Sequence, residues 1–499
     1  MLQVNGIDYI WDSDARSKSQ MSALRRAYNM SPSVRSKKMA VSDLPADLAA
    51  TGHMQRKMVR INGMANQIFR PDRRAVLAGL GSVALCPETP QALAEDRPAL
   101  ALRAKADGLS LRPREADTPI WSLGGADLRF RQGESREIAF GNDLPVPMVL
   151  NLRGIDGALA AEPLLARASP APGTTDAFKV PLRHAGTFLC DLALLGDGAE
   201  RPVRALPLIV TEKEAVAVDR DEVILIEDWR LRPDGTAIAP GVDPKGTVPF
   251  YTINGRATQD IRLRAHERLR LRFINGLQRN VIAFKIETHE TRVMALDGQP
   301  AEPFLARGGT IVLAPGTRVD AFIDAAAQPP GATSSILLHD GKEARPIARL
   351  IASDAPPVRD AVLPAAPPLP SNGLPARLEL KGALRIDLAV GGPQNDWVAP
   401  TKFAATAPPA FRAKAGRIVV LALTNRAEIA VVFHLHGHHF RLLDRLDDGW
   451  KPFWLDTLAI DPGQTQRIAF AAEFAGRWLI ESVATDWATP RLVRWYSVE

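Results

Sequence analysis

Residues 433–440 read Phe-His-Leu-His-Gly-His-His-Phe, so that four histidines fall within six residues of a chain that otherwise reads as strands and turns. Successive side chains of a β-strand point to opposite faces, and a strand here would place His434, His436 and His438 on one face. Neutral imidazoles that converge on one point are typical ligands of copper or zinc. The stretch therefore predicts a strand that carries a candidate metal site, with His439 on the opposite face in a structural role.

The sequence on either side of this stretch predicts an all-β protein. Residues 268–273 alternate arginine with leucine and phenylalanine, and residues 417–423 form a mainly apolar run that is typical of a buried strand. Proline and glycine recur between such segments, as they do in turn-rich β-sandwiches. A repeated order of strand, turn pair and strand predicts three domains, at residues 95–212, 213–368 and 369–499, with the proline-rich segment 355–370 as a linker.

The net charge of +6 is concentrated near the N-terminus. Residues 1–94 contain 13 lysines and arginines against 7 aspartates and glutamates, which accounts for the whole excess. A nucleic-acid or anionic-membrane partner requires a basic face on the folded part of a protein. The charge distribution therefore argues against both kinds of partner.

The N-terminal segment has the order of an export signal. Arg73 and Arg74 precede a short apolar run at 75–85, and Ala-Leu-Ala follows at 92–94 as a cleavage motif. Paired arginines are typical of the twin-arginine route, and the run is too short to span a bilayer. We expect residues 64–94 to be a signal peptide, 1–63 to be an over-extended gene start or an extension, and the mature chain to be periplasmic. The alternative is a buried helix with a chance pair of arginines.

Cysteine is scarce in this sequence. Cys86 would leave with the signal peptide, so that Cys190 is the one cysteine of the mature chain and no intramolecular disulfide can form. A lone cysteine most often acts as a small buried apolar residue. We also interpret His184, which lies beside the Gly186 turn, as a surface or loop residue.

Several further motifs carry a family resemblance that covers nearly all of residues 120–499. They are Tyr-Thr-Ile-Asn-Gly at 251–255, Arg-Phe-Ile-Asn at 272–275, Ala-Leu-Asp-Gly at 295–298, Leu-Ala-Pro-Gly at 313–316, the histidine run, Trp-Leu-Asp-Thr at 454–457 and Asp-Pro-Gly at 461–463. In this order they resemble the multicopper oxidases, the laccase-like enzymes. The resemblance implies a fold of three cupredoxin-like Greek-key β-sandwich domains.

The resemblance also implies where copper ligands stand in such oxidases. A trinuclear cluster takes four His-x-His pairs, and those positions hold here Asn151, Arg153, Asp191, Ala193, His434, His436, Glu481 and Val483. A blue centre takes a cysteine, two histidines and an axial ligand, and those positions hold Ser482, Val431, Trp487 and Leu492. Two of the cluster ligands remain, and His438 matches a family histidine that is not a ligand.

A count of histidines supports this interpretation. Residues 95–499 contain eight histidines, fewer than the cluster and the blue centre require together, and residues 369–499 contain no cysteine. The full four-copper complement is therefore not expected. We expect either no metal or a single copper or zinc ion at His434 and His436.

The replacement residues are mainly polar or charged, and buried charges must be paired. We therefore expect Arg153 to form an ion pair with Asp191 or Glu481, where copper would supply positive charge in relatives. Two alternatives stay open at this point. These side chains could extend into solvent, or His434, His436 and one of the two carboxylates could form a two-histidine, one-carboxylate metal site.

Two functions are consistent with these observations. The first is an exported family member that is not an oxidase and instead binds a protein or small molecule in the periplasm, as a scaffold. The second is a copper-dependent oxidoreductase or a mononuclear metal-binding protein that uses the residual His434 and His436 site. The ligand count favours the first, because a copper-dependent oxidoreductase of this family needs ligands that this chain does not contain.

Overall fold

Strands make up nearly all regular structure in the computed structural model, which describes residues 98–125, 128–392, 396–444 and 449–499. Across these ranges there are 29 strands and no α-helix. Four single-turn 3-10 helices lie between strands, at Leu159–Ala161, Ala193–Leu195, Arg307–Gly309 and Pro400–Lys402. The all-β prediction is confirmed. The predicted extension at 1–63 and the predicted signal peptide at 64–94 lie outside the described residues.

The first sandwich consists of two four-stranded sheets, with the orders β2-β1-β4-β6 and β3-β8-β7-β5. Its apolar core includes Leu102, Phe140, Phe188 and Cys190. The strands are β1 (Leu100–Leu109), β2 (Thr118–Gly125), β3 (Arg129–Arg131), β4 (Ser135–Asn142), β5 (Asn151–Arg153), β6 (Thr175–Pro181), β7 (Gly186–Asp191) and β8 (Leu206–Thr211). Cys190 is fully buried here, as the sequence predicts.

The second sandwich has one sheet of seven strands, ordered β10-β9-β13-β18-β15-β16 with β11 also paired to β9, and one of five, ordered β12-β20-β19-β14-β17. Its strands are β9 (Arg220–Leu231), β10 (Ala237–Ile238), β11 (Val248–Ile253), β12 (Gln259–Leu263), β13 (Arg268–Asn275), β14 (Ile282–Ile286), β15 (Arg292–Leu296), β16 (Gln299–Leu305), β17 (Thr310–Leu313), β18 (Arg318–Asp324), β19 (Thr333–His339) and β20 (Ala344–Ala352). Its core shares one continuous apolar cluster with the third sandwich.

The third sandwich repeats the arrangement, with the sheet orders β21-β23-β27-β25 and β22-β29-β28-β24-β26. Its strands are β21 (Leu384–Val390), β22 (Arg412–Ala413), β23 (Ile418–Asn425), β24 (Val431–Leu435), β25 (Arg441–Leu442), β26 (Thr457–Ile460), β27 (Thr465–Ala471), β28 (Gly476–Ala484) and β29 (Leu492–Val498). The strand ranges do not test the exact residues at which the three predicted domains begin and end, so these boundaries stay predictions.

The alternating arginines of β13 do not face solvent. Every residue of this strand is buried, and its arginines pair with groups of the second sandwich, of the following segment and of the first sandwich. Arg272 donates from Nη1 to Thr187 Oγ1 at 2.8 Å and forms an ion pair with Asp320 at 3.1 Å. Arginine in a clean alternating pattern therefore marks a domain interface in this protein rather than a solvated face.

The histidine run is a strand only in its first part. Strand β24 ends at Leu435, and Gly437 adopts a left-handed conformation with φ 75°. A side chain at this position would also collide with the Trp478 ring. Because the strand ends there, alternation does not extend to His438, and the prediction that His438 shares a face with His434 and His436 is wrong.

No helix in the described part of the chain is long and apolar enough to cross a membrane.

Candidate functional site

Two strand pairs bring the predicted residues together. Asn151 on β5 lies opposite Asp191 on β7 in the first sandwich, and His434 on β24 lies opposite Glu481 on β28 in the third. We use the term shared site for the eight residues at the predicted cluster positions, which border one space between these two sandwiches: Asn151, Arg153, Asp191, Ala193, His434, His436, Glu481 and Val483. The alternative in which these side chains extend into solvent is therefore wrong.

Arg153 is at the centre of the shared site. Its Nε atom donates to Asp191 Oδ2 at 2.6 Å, and its two Nη atoms lie 3.0 and 3.3 Å from the two carboxylate oxygens of Glu481. Both carboxylates are almost fully buried, and Glu481 is 0 % exposed. The expected ion pair is present, and it joins Arg153 to both predicted partners rather than to one.

Glu481 collects more positive charge than the sequence suggested. Arg491 forms a short ion pair with its Oε2 atom, and the Asn151 amide donates to Oε1 at 3.3 Å. Burial alone would raise the pKa of the Glu481 carboxyl, but Arg153, Arg491 and His436 hold it well below its usual range. Glu481 is therefore a permanent buried anion, and its neighbours compensate its charge.

His436 lies between two carboxylates. Its Nε2 atom is 2.9 Å from Glu481 Oε1, and its Nδ1 atom is 3.0 Å from Glu162 Oε1 in the first sandwich. Burial would lower the pKa of His436, but the two carboxylates outweigh it and raise the pKa to about 9. His436 is thus an imidazolium at neutral pH, with both ring nitrogens donating, and it joins the first sandwich to the third.

His434 is in the opposite protonation state. Thr457 Oγ1 donates its one proton to Asp456 Oδ1 at 2.6 Å, so it accepts from His434 Nδ1 at 2.9 Å. Burial lowers the pKa of His434 to about 4. The ring is therefore neutral, with its proton on Nδ1 and a lone pair on Nε2.

A cavity of about 30 Å³ lies beside His434. Arg153, Asp191 and Arg491 contribute to its wall, and the second sandwich closes it with residues 275–278 and 315–316. A space of this size holds about one water molecule or one small ion. The cavity is thus too small for an organic substrate and large enough for a single bound species.

Three side chains of the shared site lie close enough together to bind one metal ion. His434, His436 and Glu481 offer ligand atoms that lie within 4.8 Å of one another, all of them buried. Arg153 and Arg491 contact the same carboxylate, so that a divalent cation there would stand beside two fixed positive charges. The three side chains form a two-histidine, one-carboxylate set. The positive charges of Arg153 and Arg491 disfavour binding of a metal cation to it.

Three of the four residues at the predicted blue-centre positions are buried and Leu492 is partly buried, but they form no polar site. We call Val431, Ser482, Trp487 and Leu492 the apolar set, although it includes one serine. Val431 belongs to the main apolar core and Leu492 packs against that core. The Trp487 indole donates to the Ala239 carbonyl of the second sandwich at 3.0 Å, so this side chain acts in interdomain packing.

The remaining histidines of the run have separate environments. His438 donates from Nδ1 to the Tyr496 hydroxyl at 2.7 Å, while its Nε2 accepts from the Phe474 amide at 3.1 Å. His439 hydrogen-bonds Asp156 through Nδ1 and the Asp297 carbonyl through Nε2. Both rings are buried.

These contacts change one interpretation from the sequence and add two residues that it did not identify. His184 lies in the loop before β7, as one of the two predicted alternatives has it, but not on the surface, since it is only 9 % exposed and lies 3.5 Å from Asp156. Sequence reasoning also missed Glu162 and Arg491. Glu162 follows a 3-10 turn with no motif to mark it, and Arg491 comes ten residues after its partner.

Comparisons with known proteins agree with this architecture. Two family models, both described as multicopper oxidase, match residues 220–333 and 378–499. The multicopper oxidase MmcO of Mycobacterium tuberculosis is 24% identical over 421 residues, which covers 72% of this chain and 78% of that protein.

Solved structures agree as well. A multi-copper oxidase from Pseudomonas thermotolerans superposes with a TM-score of 0.68 at 25% identity, covering 80% of this chain and 98% of that one. Lac15 from a marine microbial metagenome gives a TM-score of 0.67 at 24% identity, covering 80% and 100%. The chain belongs to the multicopper oxidase family. The predicted fold of three cupredoxin-like sandwiches is thereby confirmed, and the multicopper oxidase family is one that binds copper.

Proposed function

We propose that this member of the multicopper oxidase family has lost the blue copper centre and most ligands of the trinuclear cluster. In this proposal it acts as a binding or scaffold protein in the periplasm and not as an oxidase. The observation that carries the proposal is the buried ion network of the shared site. Arg153 and Arg491 both contact Glu481 there, and the same carboxylate accepts from His436.

The charge balance of the network supports this proposal. Three cationic side chains (Arg153, Arg491 and His436) face three carboxylates (Asp191, Glu481 and Glu162) in direct contacts. A buried charge is tolerated when it is paired and hydrogen-bonded, and each member of this set is both. The site is therefore electrically complete without a metal ion.

The residues of the apolar set do not fit a blue copper centre. Such a centre needs a cysteine thiolate and two imidazoles. Val431, Ser482, Trp487 and Leu492 offer neither a thiolate nor an imidazole, and Cys190 lies in the core of the first sandwich. No route for electrons from a substrate to a cluster follows from these side chains.

The experiment that tests the proposal is a copper-loading assay on protein exported in copper-supplemented cells. We expect no blue absorption band and no dioxygen consumption with a diphenol substrate, because the thiolate that produces the band is absent. Oxygen consumption that depends on copper and on the diphenol would overturn the proposal. A laccase prepared in the same way is the positive control for copper supply.

Export is the second part of the proposal, and the motif at Arg73 and Arg74 supports it. Replacement of both residues by lysine is expected to keep the protein in the cytoplasm while the wild type reaches the periplasm. Cell fractionation with an antibody against the folded part measures this. Equal amounts of both proteins in the periplasm would contradict the twin-arginine assignment.

One observation favours a second candidate function, a mononuclear metal-binding protein or a copper-dependent oxidoreductase. The lone pair of His434 Nε2 is available, and His434, His436 and Glu481 lie close enough to bind one ion. A full equivalent of bound metal that disappears in the His434→Ala/His436→Ala double variant would support this candidate. Unchanged metal content in the double variant would exclude it.

A further inference from the structure

A second cluster of ligand-type side chains lies apart from the residues of the shared site. Asp156 follows β5 and His184 precedes β7 in the first sandwich, and His439 follows β24 in the third. Asp156 Oδ2 is 2.8 Å from His439 Nδ1 and 3.5 Å from His184 Nδ1. One ligand atom of each residue lies within 4.8 Å of the other two. Two imidazoles and a carboxylate thus converge on one point.

Neighbouring contacts fix the tautomer of His184. The backbone of Ala185 binds both ends of the Asn372 amide, accepting from Nδ2 at 2.8 Å and donating to Oδ1 at 2.9 Å. Asn372 Nδ2 also donates to Gln299 Oε1 at 3.0 Å, so the Gln299 nitrogen donates to His184 Nδ1 at 3.0 Å. His184 Nδ1 therefore carries a lone pair and lies 3.5 Å from Asp156 Oδ2. The Gln299 amide now occupies this lone pair, so a metal ion bound to His184 would displace that hydrogen bond.

His439 has the support that metal-bound histidines usually have. Its Nε2 atom donates to the Asp297 carbonyl at 2.9 Å, which leaves Nδ1 directed at Asp156. A histidine ligand to a metal typically donates its other ring N–H to a carbonyl or carboxylate in this way. A metal ion would replace the proton that Nδ1 now shares with the Asp156 carboxylate.

The distances from Asp156 to the two histidines are compatible with a tetrahedral zinc ion. Zn–N and Zn–O distances of about 2.0–2.2 Å place two corners of a tetrahedron roughly 3.3–3.6 Å apart. The distance of 3.5 Å between His184 and Asp156 already matches, and the 2.8 Å distance between His439 and Asp156 must open by less than about 1 Å. The three side chains are themselves buried, so a bound water molecule would have to supply the fourth ligand.

We propose that Asp156, His184 and His439 form a zinc-binding site that joins the first sandwich to the third. The donor set of two imidazole nitrogens and one carboxylate oxygen is one that zinc prefers. The site is distinct from the shared site, because it uses none of the eight residues there. Zinc at this point ties the loop after β5 to the loop after β24.

Isothermal titration of the chelator-treated full chain with zinc chloride tests the proposal. We expect one equivalent of zinc to bind the wild type, and at least tenfold weaker binding by the His184→Gln variant. His184→Gln leaves the contact between Asp156 and His439 in place, so the variant should fold, and circular dichroism checks this. Asp156→Asn is a second variant with the same expected loss.

Two controls separate this site from others. His434→Gln/His436→Gln should still bind one equivalent of zinc, and so should His289→Gln, which alters a histidine on the second sandwich. Failure of the wild type to bind zinc would overturn the proposal. So would binding that is unchanged in His184→Gln, or binding that disappears only in the double variant. These outcomes are independent of copper loading and therefore of the proposed function.

Discussion

The shared site lies between the first and third sandwiches and the apolar set lies in the third, and the two sets are filled in opposite ways. The shared site holds Arg153, Glu481 and His436 in direct ion pairs across a domain boundary. The apolar set places Val431 in the main core, with Leu492 packed against it. Both sets stand at predicted copper-ligand positions, so the contrast concerns how these positions are filled.

The position of each set explains the difference. The shared site lies between two sandwiches, where metal would join separate domains, and paired charges can take over that joining role. Val431 and Leu492 of the apolar set lie within and beside one core, where a side chain needs only a suitable volume. We infer that charged residues at an interdomain position require electrostatic partners, while apolar residues at a core position require only packing.

The largest expected effect in this comparison belongs to Arg153→Ala. The variant leaves two buried carboxylates with reduced compensation, and removal of one partner of a buried ion pair costs about 3–5 kcal/mol. Chemical denaturation monitored by fluorescence measures the change in the free energy of unfolding. The matched control is Arg349→Ala, which removes an exposed ion pair with Asp260 and should leave stability nearly unchanged. Equal small effects of the two variants would contradict the importance of the network.

A pH-dependent effect is expected from His436→Gln. Because carboxylates raise the pKa of His436 to about 9 in the folded protein, its protonation stabilises the fold by about 2–3 kcal/mol near neutral pH. That contribution is complete below about pH 6.5, the pKa of an unfolded histidine, and is lost as the pH rises through the folded pKa. As the pH rises from about 6.5 to about 9, the free energies of unfolding of the wild type and the variant should therefore converge, as measured by chemical denaturation.

His438→Gln is the control for this pH effect. Burial lowers the pKa of His438 to about 4, so the ring is neutral throughout the same range. The stability difference between this variant and the wild type should be constant above neutral pH. A difference for His436→Gln that is also constant up to strongly alkaline pH would show that His436 is not held as an imidazolium.

The smallest effect is expected in the apolar set. Val431→Ala removes two methyl groups from a fully buried position, which costs about 2 kcal/mol through lost burial and a small cavity. Since no charge is involved, the loss should be the same at neutral and alkaline pH, as measured by denaturant unfolding. A strong pH dependence for this variant would weaken the contrast between the two regions.

The ion pair of Arg153 could be predicted because strand alternation and the need to pair buried charge both act locally. Residues on paired strands, such as Asn151 opposite Asp191, have fixed neighbours once the strands are assigned. Glu162 could not be predicted, because it reaches His436 from an irregular segment whose path depends on packing against the third sandwich. Residue patterns fix the neighbours of a residue within paired strands, but they do not give the distance between an irregular segment and a strand.

The histidine run shows the limit of periodic reasoning. His434 and His436 meet near the same carboxylate, Glu481, as alternation predicts. His438 does not follow, since the left-handed Gly437 ends the strand and turns the next side chains toward other partners. The sequence does not predict that His439 and His184 meet. Their partner Asp156 is distant from both in sequence, and only the fold brings the three together.

Copper content of the purified chain after loading tests the central claim most directly. Elemental analysis combined with visible absorption reports both the number of copper ions and the presence of a cysteine-bound one. The ion network predicts at most one metal ion per chain and no blue band, with Arg153 and His436 supplying the positive charge of the shared site. About four copper ions per chain with a blue band would contradict it.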